Sequence, residues 1–190
     1  GQDPEKVMQR LLRMTPLEDS FSCNFNILIA GMPRVMGVRE ILTEWAAFRT
    51  ECVRRRTHFE LQGKEKRLHL LQGLAAILLD IDKAVRIVRE TAEEAEVVPN
   101  LMIGFGIDEV QAEYVAEIKL RHLNREYILK RTQETDSLQQ DIDRLRGILE
   151  SKAKIKRIII DELTAVAKQY GEPRRCEILY DVEKLDPTDE

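Results

Sequence analysis

The sequence predicts a mainly α-helical chain: a long antiparallel coiled-coil arm capped by a small helical dimerisation knob, with a small β-containing base. Three observations predict it. Charged residues make up 34% of the 190-residue chain and aromatics 5%, with Gly and Pro sparse; that balance suits long solvated helices better than a β-rich globule. Two long windows flanking an apolar middle carry apolar residues at alternating three- and four-residue steps. Before the far C-terminus, convincing period-two alternation occurs once, over residues 21–30.

The base is predicted over 1–37. Asp3 is a plausible N-cap and Pro4 sits at the first helical position, with Val7, Leu11 and Met14 at helical spacing. Thr15-Pro16 stops that helix. Phe21, Cys23, Phe25, Ile27 and Ile29 then alternate against mostly polar partners, a strand pattern. Gly31-Met32-Pro33-Arg34 is turn chemistry, and Val35-Met36 is the expected returning strand.

From Val38 the period becomes helical. Ile41, Trp45, Phe48, Cys52 and Phe59 define an outgoing arm over 38–70, which would reach about 50 Å at 1.5 Å per residue. Such a helix cannot bury its own stripe and needs a partner. The partner is predicted over 124–170. Asn124 caps a run through Ile128, Thr135, Leu138, Ile142, Leu145 and Leu149; Ser151 breaks the phase and caps a second run at Ile155, Ile158, Ile159, Leu163 and Val166. Tyr170-Gly171 ends it. Over 171–190, Cys176–Tyr180 is a candidate strand, followed by an acidic tail.

Between the arms, 71–123 is the most apolar region, the predicted knob. Leu71, Leu74, Ile77 and Leu78 form one stripe, and Ile81, Val85 and Val88 another, with Asp80 or Asp82 capping the bend. An acidic connector and a Pro99-Asn100 turn precede IDEVQAEYVAEIKLRHL (107–123), which fits one helix with two apolar faces. Ile107, Val110, Tyr114, Val115 and Ile118 gather on one side, Ala112, Ala116, Leu120 and Leu123 on the other. Two faces admit two readings: burial in one core, or one face kept for a second copy of the chain. The larger side chains are expected at the partner, with the alanine face turned inward.

The formal charge of −4 does not suggest a nucleic-acid binder overall. Cys23, Cys52 and Cys176 are widely spaced, as in a protein with reduced thiols. No apolar run approaches the ~20 residues that span a bilayer, and no signal-peptide layout opens the sequence, so a soluble, cytoplasmic chain without membrane contact is expected. His58, His69 and His122 lack metal-ligand spacing. Nucleophile-elbow, phosphate-loop and HExxH patterns are absent. No catalytic or metal residue is therefore assigned. The basic cluster Arg54, Arg55, Arg56 with Lys64, Lys66 and Arg67 either meets phosphates or pairs with Glu134, Asp136 and Asp141 on the opposite arm. Arg55 and Arg56 near the seam, opposite a stretch containing Thr135, suggest a polar, register-setting layer.

Five segments then resemble, in order and spacing, the A subunit of the bacterial type IIA topoisomerases, DNA gyrase and topoisomerase IV. Residues 15–21 (TPLEDSF) are similar to that family's TPLQDSF, and 55–61 (RRTHFEL) to its RRTxFEL. Residues 69–74 (HLLQGL) resemble HILEGL, 111–123 resemble QAQAILDMRLxxL, and 174–178 (RRCEI) resemble RRTEI. Glu113 stands where the family has its second Gln, and Asn124-Arg125 replaces a Thr-Gly.

The resemblance implies the coiled-coil arm and exit gate of a two-gate enzyme. It implies a DNA-cleaving tyrosine outside this chain, so the chain alone should be inactive, while the full-length protein is expected to be an isomerase. It also implies a homodimer through Leu74, Ala75, Leu78, Val110, Gln111, Tyr114 and Ile118. No cofactor is expected in this chain; ATP and Mg²⁺ enter through the B subunit, and duplex DNA is the substrate. The alternatives are a free-standing coiled-coil adaptor, or a DNA-binding module whose phosphate contacts are Arg54, Arg55 and Arg56. The sequence does not separate gyrase from topoisomerase IV.

Overall fold

A computed structural model describes residues 1–180; the expected acidic tail at 181–190 lies outside them. The fold is mainly helical with one two-stranded antiparallel sheet. The chain divides into two compact units, Gly1–Arg49 and Thr50 onward.

In the first unit, helix α1 (Pro4–Met14) starts at Asp3, whose carboxylate accepts a hydrogen bond from Glu5 N–H. The sheet pairs β1 (Asn26–Ile29) with β2 (Met32–Val35). Its turn falls at Ala30-Gly31, both at positive φ, the backbone that a two-residue hairpin loop demands. The hairpin is shorter than the alternation implied: residues 21–25 are not strand, and the return begins at Met32 rather than Val35. Pro33 pairs opposite Leu28, which a two-stranded sheet tolerates because every strand is an edge.

Helix α2 (Val38–Leu78) begins in this unit and continues into the second. It does not stop near Leu70, so Leu71, Leu74, Ile77 and Leu78 belong to the same helix as the outgoing arm. The remaining elements are α3 (Ile81–Glu90), a 3₁₀ turn at Glu94–Glu96, α4 (Val97–Phe105), α5 (Glu109–Ala116), a 3₁₀ turn at Leu120–His122, α6 (Arg125–Glu150) and α7 (Lys152–Tyr170). The caps read from the sequence are in place: Asp80 accepts from Lys83 N–H, Asn124 from Tyr127 N–H and Ser151 from Lys154 N–H. Pro99-Asn100 is not a turn but lies in the first turn of α4, where proline's missing N–H costs nothing. Residues 176–180 form no strand.

In the second unit α2 packs antiparallel to α6 and α7. Arg67 meets Glu134, Lys64 meets Asp141, and Val53 clusters with Ile155, so contacts descend one chain as they climb the other. Leu61, Leu68, Leu71 and Leu74 interlock with Leu138, Ile142 and Leu145. The seam on α2 therefore runs Val53–Thr57–Leu61–Leu68, not Cys52–Phe59; Phe59 is 79% exposed. A second cluster joins Ile77, Ala84, Leu101, Ile107 and Ala112 across α2, α3, α4 and α5.

The stretch 107–123 is not one helix. After Ala116 the backbone turns at Glu117 and becomes extended at Lys119. That break lets Ile118 pack against the cluster between α2 and α6, a gain that outweighs continuing a short, marginal helix.

Candidate functional site

The region built by the end of α2, by α3, α4 and α5, and by the loop to α6 is assembled through a polar joint. Asp108 caps α5 by accepting from Gln111 N–H at 2.9 Å, and the Gln111 Oε1 accepts from Asp108 N–H at 3.1 Å, a reciprocal capping box. The same Gln111 reaches α2, donating from Nε2 to the His69 carbonyl at 2.7 Å. His69 Nε2 pairs with Asp108 Oδ2. Gly73, one turn after His69, leaves the space into which Gln111 fits. Asp108 is held below the usual carboxylate range, chiefly by the backbone N–H of Gln111 and then by His69.

A second network ties α5 to α2 and α6. Glu134 accepts from Arg67 Nε at 2.7 Å and from Arg131 Nη1 at 2.7 Å. Arg67 Nη1 donates to the Tyr114 hydroxyl at 3.3 Å and its guanidinium lies over that ring. The Arg67 hydrogen bond lowers Glu134 and raises Arg67 against the opposing effect of burial. Burial, followed by a hydrogen bond with Tyr114, lifts the Tyr127 phenol. Arg131 lies over the Tyr127 ring, and its Nε is buried without a hydrogen-bond partner among the described residues.

These joints decide what the expected interface residues present. Leu74 and Gln111 are buried inside the chain, and Leu78 and Ile118 are half-buried against the cluster between α2 and α6. Tyr114 is half-buried and held by Arg67. Ala75 is exposed, and Val110 is 62% exposed. Ala112 faces inward, whereas Ala116 is exposed. Three large apolar side chains are more exposed than Val110: Leu79 at 89%, Ile103 at 83% and Leu120 at 81%. Sequence reasoning misses them because Ile103 follows an apparent turn, Leu79 abuts the Asp80 cap, and Leu120 falls on what reads as a continuous helix.

The basic cluster separates. Arg56 Nη2 donates to Glu162 Oε1 at 2.6 Å, rather than forming a layer opposite Thr135. Lys64 and Arg67 pair with Asp141 and Glu134, two of the three expected carboxylates. Arg54, Arg55 and Arg56 still line one shallow surface concavity, with Glu51, His58, Phe59 and Leu149. Among the described residues no three His, Cys, Asp or Glu side chains converge to hold a metal ion, and no helix is long and apolar enough to cross a membrane.

Comparison with known proteins adds the family context. Residues 1–164 match the family model for the A subunit of DNA gyrase/topoisomerase IV. The chain is 44% identical over 174 residues to the DNA topoisomerase 4 A subunit of Salmonella typhimurium, covering 91% of this chain and 23% of the relative. It is 41% identical over 174 residues to the Escherichia coli K12 protein of the same name, with the same coverage. It is 35% identical over 183 residues to the DNA gyrase A subunit of Synechocystis, covering 96% of this chain and 21% of that relative. The chain thus spans less than a quarter of the length of each of these relatives.

Proposed function

The chain belongs to the family of DNA gyrase/topoisomerase IV A subunits, and from that premise we propose that it forms the coiled-coil arm and exit gate of a type II topoisomerase. In this reading two copies meet through the region bearing Ala75, Leu79, Ile103, Val110 and Leu120. The contact holds the two copies together while one duplex is broken and opens to release the transported duplex. Cleavage, ATP and Mg²⁺ belong to other parts of the assembly, including the B subunit.

The exposure of Leu79, Ile103 and Leu120 carries the proposal. Large apolar side chains left in water mark interaction surfaces where they gather in one patch, and a small patch suits a contact that must both hold and open. The polar joints support it further, because a gate surface must be presented by a rigid scaffold. Gln111 and Arg67 fix α5 to its neighbours without consuming Val110.

Cysteine cross-linking tests the reading. In a chain with Cys23, Cys52 and Cys176 replaced by Ser, Val110→Cys should link two copies upon mild oxidation. A Val110→Cys chain that stays unlinked, or links no better than one bearing Phe21→Cys, would contradict it.

A further inference from the structure

One flank of the α2–α7 pair concentrates positive charge in a chain whose net charge is −4. Val53 and Ile155 meet at the seam. In an antiparallel pair, the residue one position past the seam on either helix points to the same side, since both are advanced by about 100° and the helices run oppositely. Arg54 and Lys156 therefore share a flank at one level. His58 and Lys152 stand one turn away on the same faces, and Arg55, a further 100° round α2, borders the flank on its outer side. By the same rotation Arg56, three positions past Val53, turns to the other side of the seam; it pairs with Glu162 at 2.6 Å.

Some of the charge around this flank is already paired. On α7 Arg157 pairs with Asp161 at 3.2 Å, and at the neighbouring α2–α6 contact Arg146 pairs with Glu65 at 2.8 Å. Among the described residues, Arg54, Arg55, Lys152 and Lys156 have no carboxylate within ion-pair distance. Glu51 is the carboxylate that lines the same concavity. Like charges placed side by side on a stiff scaffold repel one another unless an external anion relieves them.

We propose that this flank, comprising Arg54, Arg55, Lys152 and Lys156 with His58 between them, is a docking track for the phosphate backbone of duplex DNA. Guanidinium forks suit phosphate oxygens, and lysine ammoniums add point charge. The track lies open to solvent on two packed helices, where Arg54 and Arg55 border a shallow concavity, so it meets a backbone without reading bases. The choice of duplex DNA over other polyanions rests on the reading of the chain as part of a duplex-passing enzyme.

The test is a fluorescence-anisotropy titration of a labelled duplex with the 190-residue chain across about 50 to about 200 mM salt. Four phosphate contacts at about −0.9 each predict a log–log salt slope between about −2 and −4. The variant Arg54→Gln, Arg55→Gln, Lys152→Gln, Lys156→Gln should bind at least about tenfold more weakly at the lowest salt, with a slope near zero. A variant removing equal charge elsewhere (Arg86→Gln, Arg89→Gln, Arg125→Gln, Lys130→Gln) should retain the parent slope. Polyglutamate of matched charge should fail to displace the duplex. Absent or salt-independent binding, a track variant that binds like the parent, a control variant that loses as much, or equal displacement by polyglutamate would each overturn the proposal. Self-association measured on the same samples separates the two readings: monomers that still bind DNA contradict the gate alone, and dimers that do not bind contradict the track alone.

Discussion

Gly73 and Gln111 touch where α2 meets α5: a Cβ on Gly73 would stand 2.6 Å from the Gln111 Cβ, closer than carbon atoms pack. Gly73→Ala must therefore push α5 away from α2 or displace Gln111 from its bond to the His69 carbonyl. The expected cost is about 1–3 kcal/mol in thermal or denaturant unfolding. Ala at exposed Gly63, where nothing lies within 4 Å of an added Cβ, should be neutral or stabilising, since alanine favours helix.

Gln111→Ala removes one half of the capping box and the tie to His69 together. A loss of about 1–2 kcal/mol is expected. Hydrogen exchange should show α5 opening more often while the amides of α6 stay protected.

Asp108 gives the joint a pH dependence of known sign. Its carboxyl is held below the usual range in the folded chain by Gln111 N–H and His69. A depressed folded pKa contributes stability that is complete above the unfolded value and is lost as pH falls through the folded value. The stability difference between the parent and Asp108→Asn should therefore shrink as pH falls through the carboxylate range. A difference that grew under acid would contradict this.

Arg67 and Glu134 form a two-pronged polar contact between α2 and α6, with hydrogen bonds of 2.7 and 3.3 Å. Both are about one-third exposed, so solvent screens the pair. A double-mutant cycle of Arg67→Met and Glu134→Gln should give a coupling of about 1 kcal/mol. Glu134 is lowered by Arg67, so the coupling should fade as pH drops below the carboxylate range. Ile142→Ala, in the dry centre of the same seam, should cost more, about 2–5 kcal/mol.

What the sequence revealed and what it hid follow from the range of the forces involved. The caps at Asp3, Asp80, Asn124 and Ser151 were legible because a cap is a local bond between a side chain and a backbone N–H two or three residues on. The stripe of α6 was legible because Leu138, Ile142 and Leu145 have no apolar rivals at neighbouring positions. On α2 the exposed Phe59 competed with the true seam at Val53, Thr57 and Leu61, and only the tertiary partner decides between two such phases. The break after Ala116 has no Gly or Pro to announce it; packing of Ile118 imposes it. The same limit applies at the candidate site. Tyr114 and Gln111 have the right size and polarity for an interface, yet distant Arg67 and His69 hold them within the chain.

Sedimentation equilibrium of this chain tests the central claim most directly. The account predicts a reversible monomer–dimer equilibrium in the micromolar range, as befits a small, opening contact. Leu79→Glu combined with Val110→Glu should abolish it without reducing helicity by circular dichroism, since both side chains already face solvent. A chain that remains monomeric throughout that range, or a dimer unmoved by the two charges, would contradict the gate.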